Sequence, residues 1–357
     1  MNKTFWNGKR VLITGNTGFK GSWLSRVLLN TGADVYGYAL ENNCTESIFN
    51  AVGLEKHMEC CSGDICDYEK LSLFIEKVKP EVVFHLAAQP IVRESYLLPV
   101  YTYQTNVMGT VTLLDCLRKN ENLRAVVNVT TDKVYANDDK TAFFSENDRL
   151  GGYDPYSTSK ACSELVTASY VSSFFNPDKY GQDHNAAIAT ARAGNVIGGG
   201  DYAPDRLIPD CIRAVKNDTS VILRNPDSIR PWQNVLEPIS VYITLAERLY
   251  NYGTAYGGAW NIGPEKDDCL RVADVIQKLK DYIPELKVKL KGTRDNKAHE
   301  AQLLTLNSSK IKTALGFQSR WKIDDAVKYT ALWYAEQFKG ADMSEITDKI
   351  ITEYYSV

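Results

Sequence analysis

A chain of 357 residues with 44% hydrophobic content can bury a sizeable core, as one large domain or two modest ones. Its 41 basic and 44 acidic side chains leave a net charge of −3, with no basic excess to suit a nucleic-acid partner. No stretch reaches the roughly 18 apolar residues of a membrane span, and Met1–Arg10 holds no apolar signal region, so a soluble, cytoplasmic protein with no membrane partner is expected.

Lys9–Thr14 reads as a strand, Gly21–Asn30 as a helix with Trp23, Leu24, Val27 and Leu28 on its apolar face, and Asp34–Ala39 as a second strand. Glu81–Leu86, Arg124–Thr130 and Ala186–Ala191 are further strands, separated by helical patterns at 67–78, 104–118 and 156–175. Unbroken apolar strands alternating with helices predict an α/β fold, a doubly wound parallel sheet covered on both faces. From Gly194 to Pro209 the Gly, Asp and Pro content predicts loop rather than core. A helix at Ile208–Lys216, a strand at Val221–Arg224 and a helix at Pro238–Tyr250 follow. The tail carries a helix at 270–282, a strand at Leu286–Leu290 and helices near 307–315 and 323–338. This pattern divides into a Rossmann domain, 1–194 plus about 231–263, and a smaller C-terminal α/β substrate domain, about 195–230 and 264–357. A ligand is expected between them, above the carboxyl ends of the strands.

Eight cysteines, at 44, 60, 61, 66, 116, 162, 211 and 269, form no C-x-x-C pair and read as small buried thiols in a reducing compartment. His57, His85, His184 and His299 are equally scattered, so no metal site is expected.

Gly15-Asn16-Thr17-Gly18-Phe19-Lys20-Gly21 follows the first strand and opens a helix. Glycines there permit a tight turn and let the backbone approach a pyrophosphate at the helix N-terminus, so the loop reads as a dinucleotide site. The acid that binds an adenosine ribose belongs at the end of the second strand, where Ala39 stands; Glu41, two residues on, is the candidate. No Arg or Lys occurs between Asp34 and Glu55 to meet a 2′-phosphate, which favours NAD over NADP. Asp64 and Ile65 close the third strand and are candidate adenine contacts.

Tyr156 and Lys160 stand four apart on a predicted helix and share a face. A phenol with a pKa of about 10 is a poor base near neutrality. A lysine cation beside it, together with the charge of a nicotinamide, would stabilise the phenolate. A drop of ~3 units needs ~4 kcal/mol of differential stabilisation.

The glycine loop, Leu86-Ala87-Ala88-Gln89, Asn106, Thr130-Thr131-Asp132-Lys133-Val134-Tyr135 and the Tyr156/Lys160 pair together resemble the extended short-chain dehydrogenase/reductase superfamily over essentially the whole chain. Residues 18–24, 151–156, 191–201 and 230–233 narrow this to the nucleotide-sugar 4,6-dehydratases, where Lys133 in place of a Glu is similar to the CDP-glucose branch. The resemblance implies Leu86, Ala87, Ala88 and Asn106 as further NAD contacts. It also implies a closed redox cycle. Tyr156 takes the proton of the sugar 4-hydroxyl as hydride leaves carbon 4, Asp132 and Lys133 serve as candidate acid and base for loss of water across carbons 5 and 6, and the hydride returns to carbon 6. Thr131 is placed to hydrogen-bond the 4-oxygen.

A sugar diphosphate needs cations and fixed donors, and Arg206, Arg224 and Arg230 lie near Gly/Pro loops of the second half. By resemblance Asn195, Leu207, Arg230 and Asn261 hold the nucleotide diphosphate, His299 lines the nucleotide pocket, and Gln89 and Arg192 join the substrate set. Helices 104–118 and 156–175 carry apolar residues on more than one face, Val111, Leu113, Leu114 and Leu117 on one helix and Leu165, Val166, Tyr170 and Val171 on the other. Similarity to dimers built on this helix pair implies a homodimer or homotetramer. A nucleotide-sugar 4-epimerase needs the same Tyr and Lys but no acid/base pair, so Asp132-Lys133 favours the dehydratase. A non-catalytic NAD-sensing protein would not need Tyr156 and Lys160.

Overall fold

The apolar runs of the first half become strands that are buried along nearly their whole length. β1 (Arg10–Thr14), β2 (Asp34–Ala39), β3 (Glu59–Ser62), β4 (Val82–His85), β5 (Ala125–Val129), β6 (Ala187–Ala193) and β7 (Gly258–Ile262) form one parallel sheet in the order β3-β2-β1-β4-β5-β6-β7. The computed structural model describes residues 2–137, 143–290 and 304–356. Register is set at the centre, where Val11 pairs with Val82 and Thr14 with His85, and Val83 pairs with Val126. β4, β5 and β6 are buried at every position, the state of a sheet covered on both faces.

Helices α1 (Phe19–Leu29) and α5 (Leu236–Tyr252) contribute to the larger core, with Trp23, Leu24, Leu236, Ile239 and Leu249 essentially inaccessible. Helices α2 (Tyr68–Val78), α3 (Gly109–Leu117) and α4 (Pro155–Phe174) cover the other face, where Leu71, Leu113, Leu117 and Val126 share a second core. The expected helix 104–118 begins as a π-helical turn, Gln104–Met108, and becomes regular only at Gly109. Beyond the large sheet, Asn195–Ile197, Ile229–Asn234 and Cys269–Arg271 pair as a three-stranded sheet, and Ser220–Leu223 pairs with Lys287–Leu290.

The structure corrects two expectations. Residues 194–209 are not simply loop: they include the strand Asn195–Ile197 and a buried stretch from Gly198 to Asp201. Gly199 lies against Trp333, whose ring a Cβ would meet at 2.1 Å, and its carbonyl accepts from Trp23 Nε1 at 2.9 Å. The glycine there serves close packing. Of the cysteines only Cys116 and Cys211 are buried; Cys60 is exposed and the others are half-buried, all of them free thiols. Cys60 and Cys61 fall on β3, the edge strand of the sheet, which lacks a second neighbour to cover it.

Glu237, at the start of α5, is buried and accepts from the backbone N–H groups of Arg320 (3.0 Å) and Trp321 (2.8 Å) through one oxygen. Burial pushes its carboxyl up to about 7. A folded value above the unfolded one means the stability it contributes is complete below about pH 4.5 and is lost as pH rises through about 7. Glu237→Gln stays neutral throughout. Thermal melts should place it above the parent at about pH 8, by on the order of 1–3 kcal/mol, with the two converging near pH 4.5. A constant difference between them across that range would contradict this.

Candidate active site

β1 ends at Thr14 and the chain turns at Gly15, whose φ of +74° and close approach to Ala87 (2.7 Å from an added Cβ to its nitrogen) exclude any side chain. α1 then starts at Phe19 behind Gly18, with no side chain capping its first turn. Its N–H groups are left to an outside acceptor, the arrangement that holds a phosphate at a helix N-terminus. Thr17 is clasped to the end of β2: its hydroxyl donates to the Leu40 carbonyl (3.0 Å) and its carbonyl accepts from Asn42 Nδ2 (2.7 Å). Glu41 is exposed between those two residues. Asp64 is exposed and accepts from the Cys66 N–H (2.8 Å), whereas Ile65 is buried against Gly109. Leu86, Ala87 and Ala88 are half-buried just beyond β4, and the Ala87 N–H donates to Thr14 Oγ1 at 3.3 Å. An open glycine turn, an uncapped helix and a row of strand ends fit an extended dinucleotide.

Asn106 and Gln89 are buried and bonded to one another. Asn106 accepts from the Gln89 N–H (2.8 Å) and donates to the Gln89 carbonyl (3.1 Å) and Ser159 Oγ (2.8 Å). The Gln89 amide in turn bonds Ile91 and Thr102. These bonds brace the turn after β4 against α4.

α4 opens on Asp154, whose carboxylate accepts from the Ser157 N–H (2.9 Å) and hydroxyl (2.6 Å). This cap aims Tyr156 and Lys160 inward, and both are buried. Lys160 Nζ donates to the Val129 carbonyl at 3.1 Å, and burial pushes its amine down to about 8 despite the Glu164 charge. Burial also raises the Tyr156 phenol above its ordinary value, opposed by the Lys133 charge and by the neighbouring Thr131 hydroxyl. The expected lowering of the phenol is therefore not produced by these side chains alone, because desolvation outweighs them.

Thr131, Asp132 and Lys133 follow β5 as a short 3-10 turn. Thr131 Oγ1 donates to Asp132 Oδ1 at 2.9 Å, and Lys133 Nζ donates to the same oxygen at 3.0 Å. Asp132 is 1% exposed and its Oδ2 has no partner among the described residues; Lys133 is one-third exposed. Thr131, Lys133 and Tyr156 line a cavity of about 400 Å³ together with Lys20, Asn195, Arg206, Leu207, Arg224 and Arg230. Burial and the Arg206 charge push the Lys20 amine down to about 7.

Two of the cavity arginines are fixed by acids that the sequence reading passed over. Arg206 pairs with Asp201 at 3.0 Å and Arg224 with Asp205 at 2.9 Å, Asp205 itself standing in the left-handed region at φ 58°. A non-glycine residue with positive φ between two arginines leaves no mark in a single sequence. Arg192 and Asn261 belong to one buried network. Arg192 forms a buried pair with Glu164 (2.9 Å) and donates to Tyr135 Oη (2.8 Å), which donates to Asn261 Oδ1 (2.6 Å). Asn261 Nδ2 donates to the Phe144 carbonyl (2.8 Å). Both lie within the protein, adjacent in register on β6 and β7, and neither lines the cavity. His299 lies outside the described residues. Among the described residues no group of His, Cys, Asp or Glu gathers that could hold a metal ion, and no helix is long and apolar enough to cross a membrane.

A glycine turn at the crest of a parallel sheet, with a Tyr/Lys helix beside it, defines an extended short-chain dehydrogenase/reductase. Within that class the chain belongs to the GDP-mannose 4,6 dehydratase family, whose model matches residues 12–330. It is 48% identical to the CDP-glucose 4,6-dehydratase of Salmonella typhimurium, covering 100% of this chain and 99% of that one. The dTDP-glucose 4,6-dehydratase DesIV from Streptomyces venezuelae, solved with NAD bound, superposes with a TM-score of 0.77 at 25% identity over 94% of this chain and 99% of that one. A UDP-glucose 4-epimerase from Thermotoga maritima, at 20% identity and a TM-score of 0.78 over 92% of this chain and 99% of that one, shares the fold.

Proposed function

We propose that this chain is an NAD-dependent CDP-glucose 4,6-dehydratase, a lyase that converts CDP-glucose to CDP-4-keto-6-deoxyglucose. The observation that carries the reading is Thr131 and Lys133 lining one cavity with Tyr156, both bonded to Asp132 Oδ1 behind them, since an epimerase has no use for the acid/base pair. Full-length identity to a CDP-glucose enzyme supports the choice of base.

Tyr156 takes the proton of the sugar 4-hydroxyl, and Thr131 orients that oxygen. Bound NAD supplies the hydride acceptor at carbon 4, the donor at carbon 6 and a cationic ring that favours the phenolate. Oxidation at carbon 4 acidifies the carbon 5 hydrogen. Asp132 and Lys133 then serve the elimination, one removing that proton and the other delivering a proton to the departing 6-hydroxyl. Arg206, Arg224 and Arg230, with Asn195 and Leu207 beside them, hold the diphosphate by charge-assisted hydrogen bonds. Gly15, Thr17, Gly18, Phe19, Lys20 and Gly21 cradle the dinucleotide, with Glu41, Asp64 and Ile65 toward its adenosine end. This reading takes the cavity as the cleft between the two domains the sequence suggests, and puts the protein in the cytoplasm.

A homodimer or homotetramer belongs to the same reading. The surface of α4 and the segment before α3 exposes Leu97, Val100, Met108, Leu165 and Phe174, and exposed apolar side chains on this helix pair support association. Sedimentation should return two or four chains per particle, and a monomer at micromolar concentration would contradict it.

Incubation of the NAD-loaded protein with CDP-, dTDP-, UDP- and GDP-glucose, followed by mass measurement, tests the function. Loss of one water from CDP-glucose in preference to the others is expected. Products of unchanged mass and altered configuration at carbon 4 would instead show an epimerase.

A further inference from the structure

We propose that Asp205 is a specificity-determining residue: its carboxylate stands in for a phosphate oxygen on Arg224, yielding that arginine to a diphosphate and withholding it from less charged ligands. This rests on the nucleotide-sugar reading above.

Arg93, Asp205 and Arg224 reach the cavity wall from three parts of the chain. Arg93 lies on the short helix Val92–Leu97 after β4, Arg224 follows the strand Ser220–Leu223, and Asp205 stands just before the helix Leu207–Lys216. One oxygen, Asp205 Oδ1, serves both arginines: Arg224 Nη1 donates to it at 2.9 Å, and Arg93 Nη1 lies 3.7 Å from it. An anionic oxygen shared by two guanidinium groups is what a phosphate would provide at the same place. Without an anion between them the two cations would repel one another.

The neighbouring acid is a permanent brace. Asp201 is 5% exposed and uses both oxygens, Oδ1 on the Ala203 N–H (3.0 Å) and Oδ2 on Arg206 Nη1 (3.0 Å). Asp205 is built the other way. Its side chain is 37% exposed, and among the described residues its carboxylate meets arginines alone. Its backbone is held at φ +58°, uncommon for any residue but glycine. Among the described residues, the other non-glycine positions of positive φ are Lys79 and Asp218, which close helices at their C-termini, where that conformation is ordinary. Asp205 precedes a helix and has no such role. Unusual backbone retained on a cavity wall suits a task in the cavity.

A diphosphate carries more charge and more acceptor oxygens than one carboxylate, so it wins Arg224 from Asp205. The displaced carboxylate turns to the solvent it already meets. A nucleoside without phosphate leaves the Arg224–Asp205 pair closed.

Calorimetric titration of the NAD-loaded protein with CDP and with cytidine tests the stand-in. Asp205→Asn keeps the shape and removes the charge. It should bind CDP about tenfold more tightly than the parent, roughly the worth of one charge-assisted hydrogen bond no longer contested, and cytidine no more tightly. Asp205→Gly, with its fold checked by thermal melting, must show the same gain. Asp201→Asn should do the opposite and weaken CDP, because Arg206 loses its brace. In an Arg224→Met background the gain from Asp205→Asn should vanish. A gain that persists there would reduce Asp205 to general charge repulsion and overturn the proposal. Weaker or unaltered CDP binding by Asp205→Asn and Asp205→Gly, or tighter cytidine binding, would overturn it as well and leave Asp205 as a brace like Asp201. A parent protein that binds none of CDP, UDP and dTDP would instead defeat the nucleotide-sugar reading itself, and this proposal with it.

Discussion

Tyr156→Phe is expected to lower product formation by about a hundred- to ten-thousand-fold, the usual cost of losing one general acid or base. The ring still fills its place under the cavity, so the melting temperature should hold. The failure should come before any redox change: mixed with substrate, the variant should show no reduced nicotinamide. Lys133→Met and Asp132→Asn should behave differently. With Tyr156 intact they should oxidise the sugar and then stall, with reduced nicotinamide absorbance persisting through a single turnover. Exchange of the carbon 5 hydrogen with heavy water distinguishes the pair, since the variant that has lost the base loses the exchange. A Tyr156→Phe enzyme that still reduces its cofactor at the parent rate would remove Tyr156 from the first step.

Glu164→Ala is expected to destabilise the protein by about 3–5 kcal/mol, because it leaves the Arg192 guanidinium charged and buried. Both side chains are 4% exposed, and Glu164 also accepts from Thr130 Oγ1 (2.5 Å), just beyond β5, and Thr190 Oγ1 (2.6 Å), in the middle of β6. The loss should appear as a melting temperature lower by on the order of 5–10 °C. A second consequence is electrostatic. Glu164 lies one helical turn beyond Lys160, and its charge raises the Lys160 amine. Without it that amine falls below its present value of about 8, and the alkaline limb of the rate profile should move to lower pH. The double variant Glu164→Leu/Arg192→Met, which removes both charges, should recover much of the stability. Unaltered melting of Glu164→Ala would show that the pair is not held as described.

The Glu164–Arg192 pair also marks where sequence reading stops. Arg192 sits in an unbroken run of small apolar residues, and its charge invites assignment to a phosphate. Its buried partner is 28 positions earlier, on α4, and only the approach of that helix to β6 brings them together. The partners of Asn261, Tyr135 and the Phe144 carbonyl, are more distant still in sequence. Asn106 and Gln89 satisfy each other across a turn, something neither spacing nor composition reveals. The central strands were legible because burial on both faces leaves an uninterrupted apolar run. The glycine turn and the Tyr156/Lys160 pair were legible because each is local, set by steric room at Gly15 and by helical spacing. The helix Met343–Ser356 went unread although Met343, Thr347, Ile350, Ile351 and Tyr354 mark its buried face. Tertiary convergence is what a sequence withholds: the gathering of Lys20, Lys133 and Arg206 at one cavity comes from loops far apart in the chain.

That cavity is assigned a reaction in which hydride removed from carbon 4 never leaves the site. The most direct test uses CDP-glucose carrying deuterium at carbon 4, incubated with the NAD-loaded protein and analysed by mass and NMR. The deuterium should appear at carbon 6 of the 4-keto-6-deoxy product, with no net reduced nicotinamide at steady state. Label lost to solvent, label retained at carbon 4, or stoichiometric accumulation of reduced cofactor would contradict it.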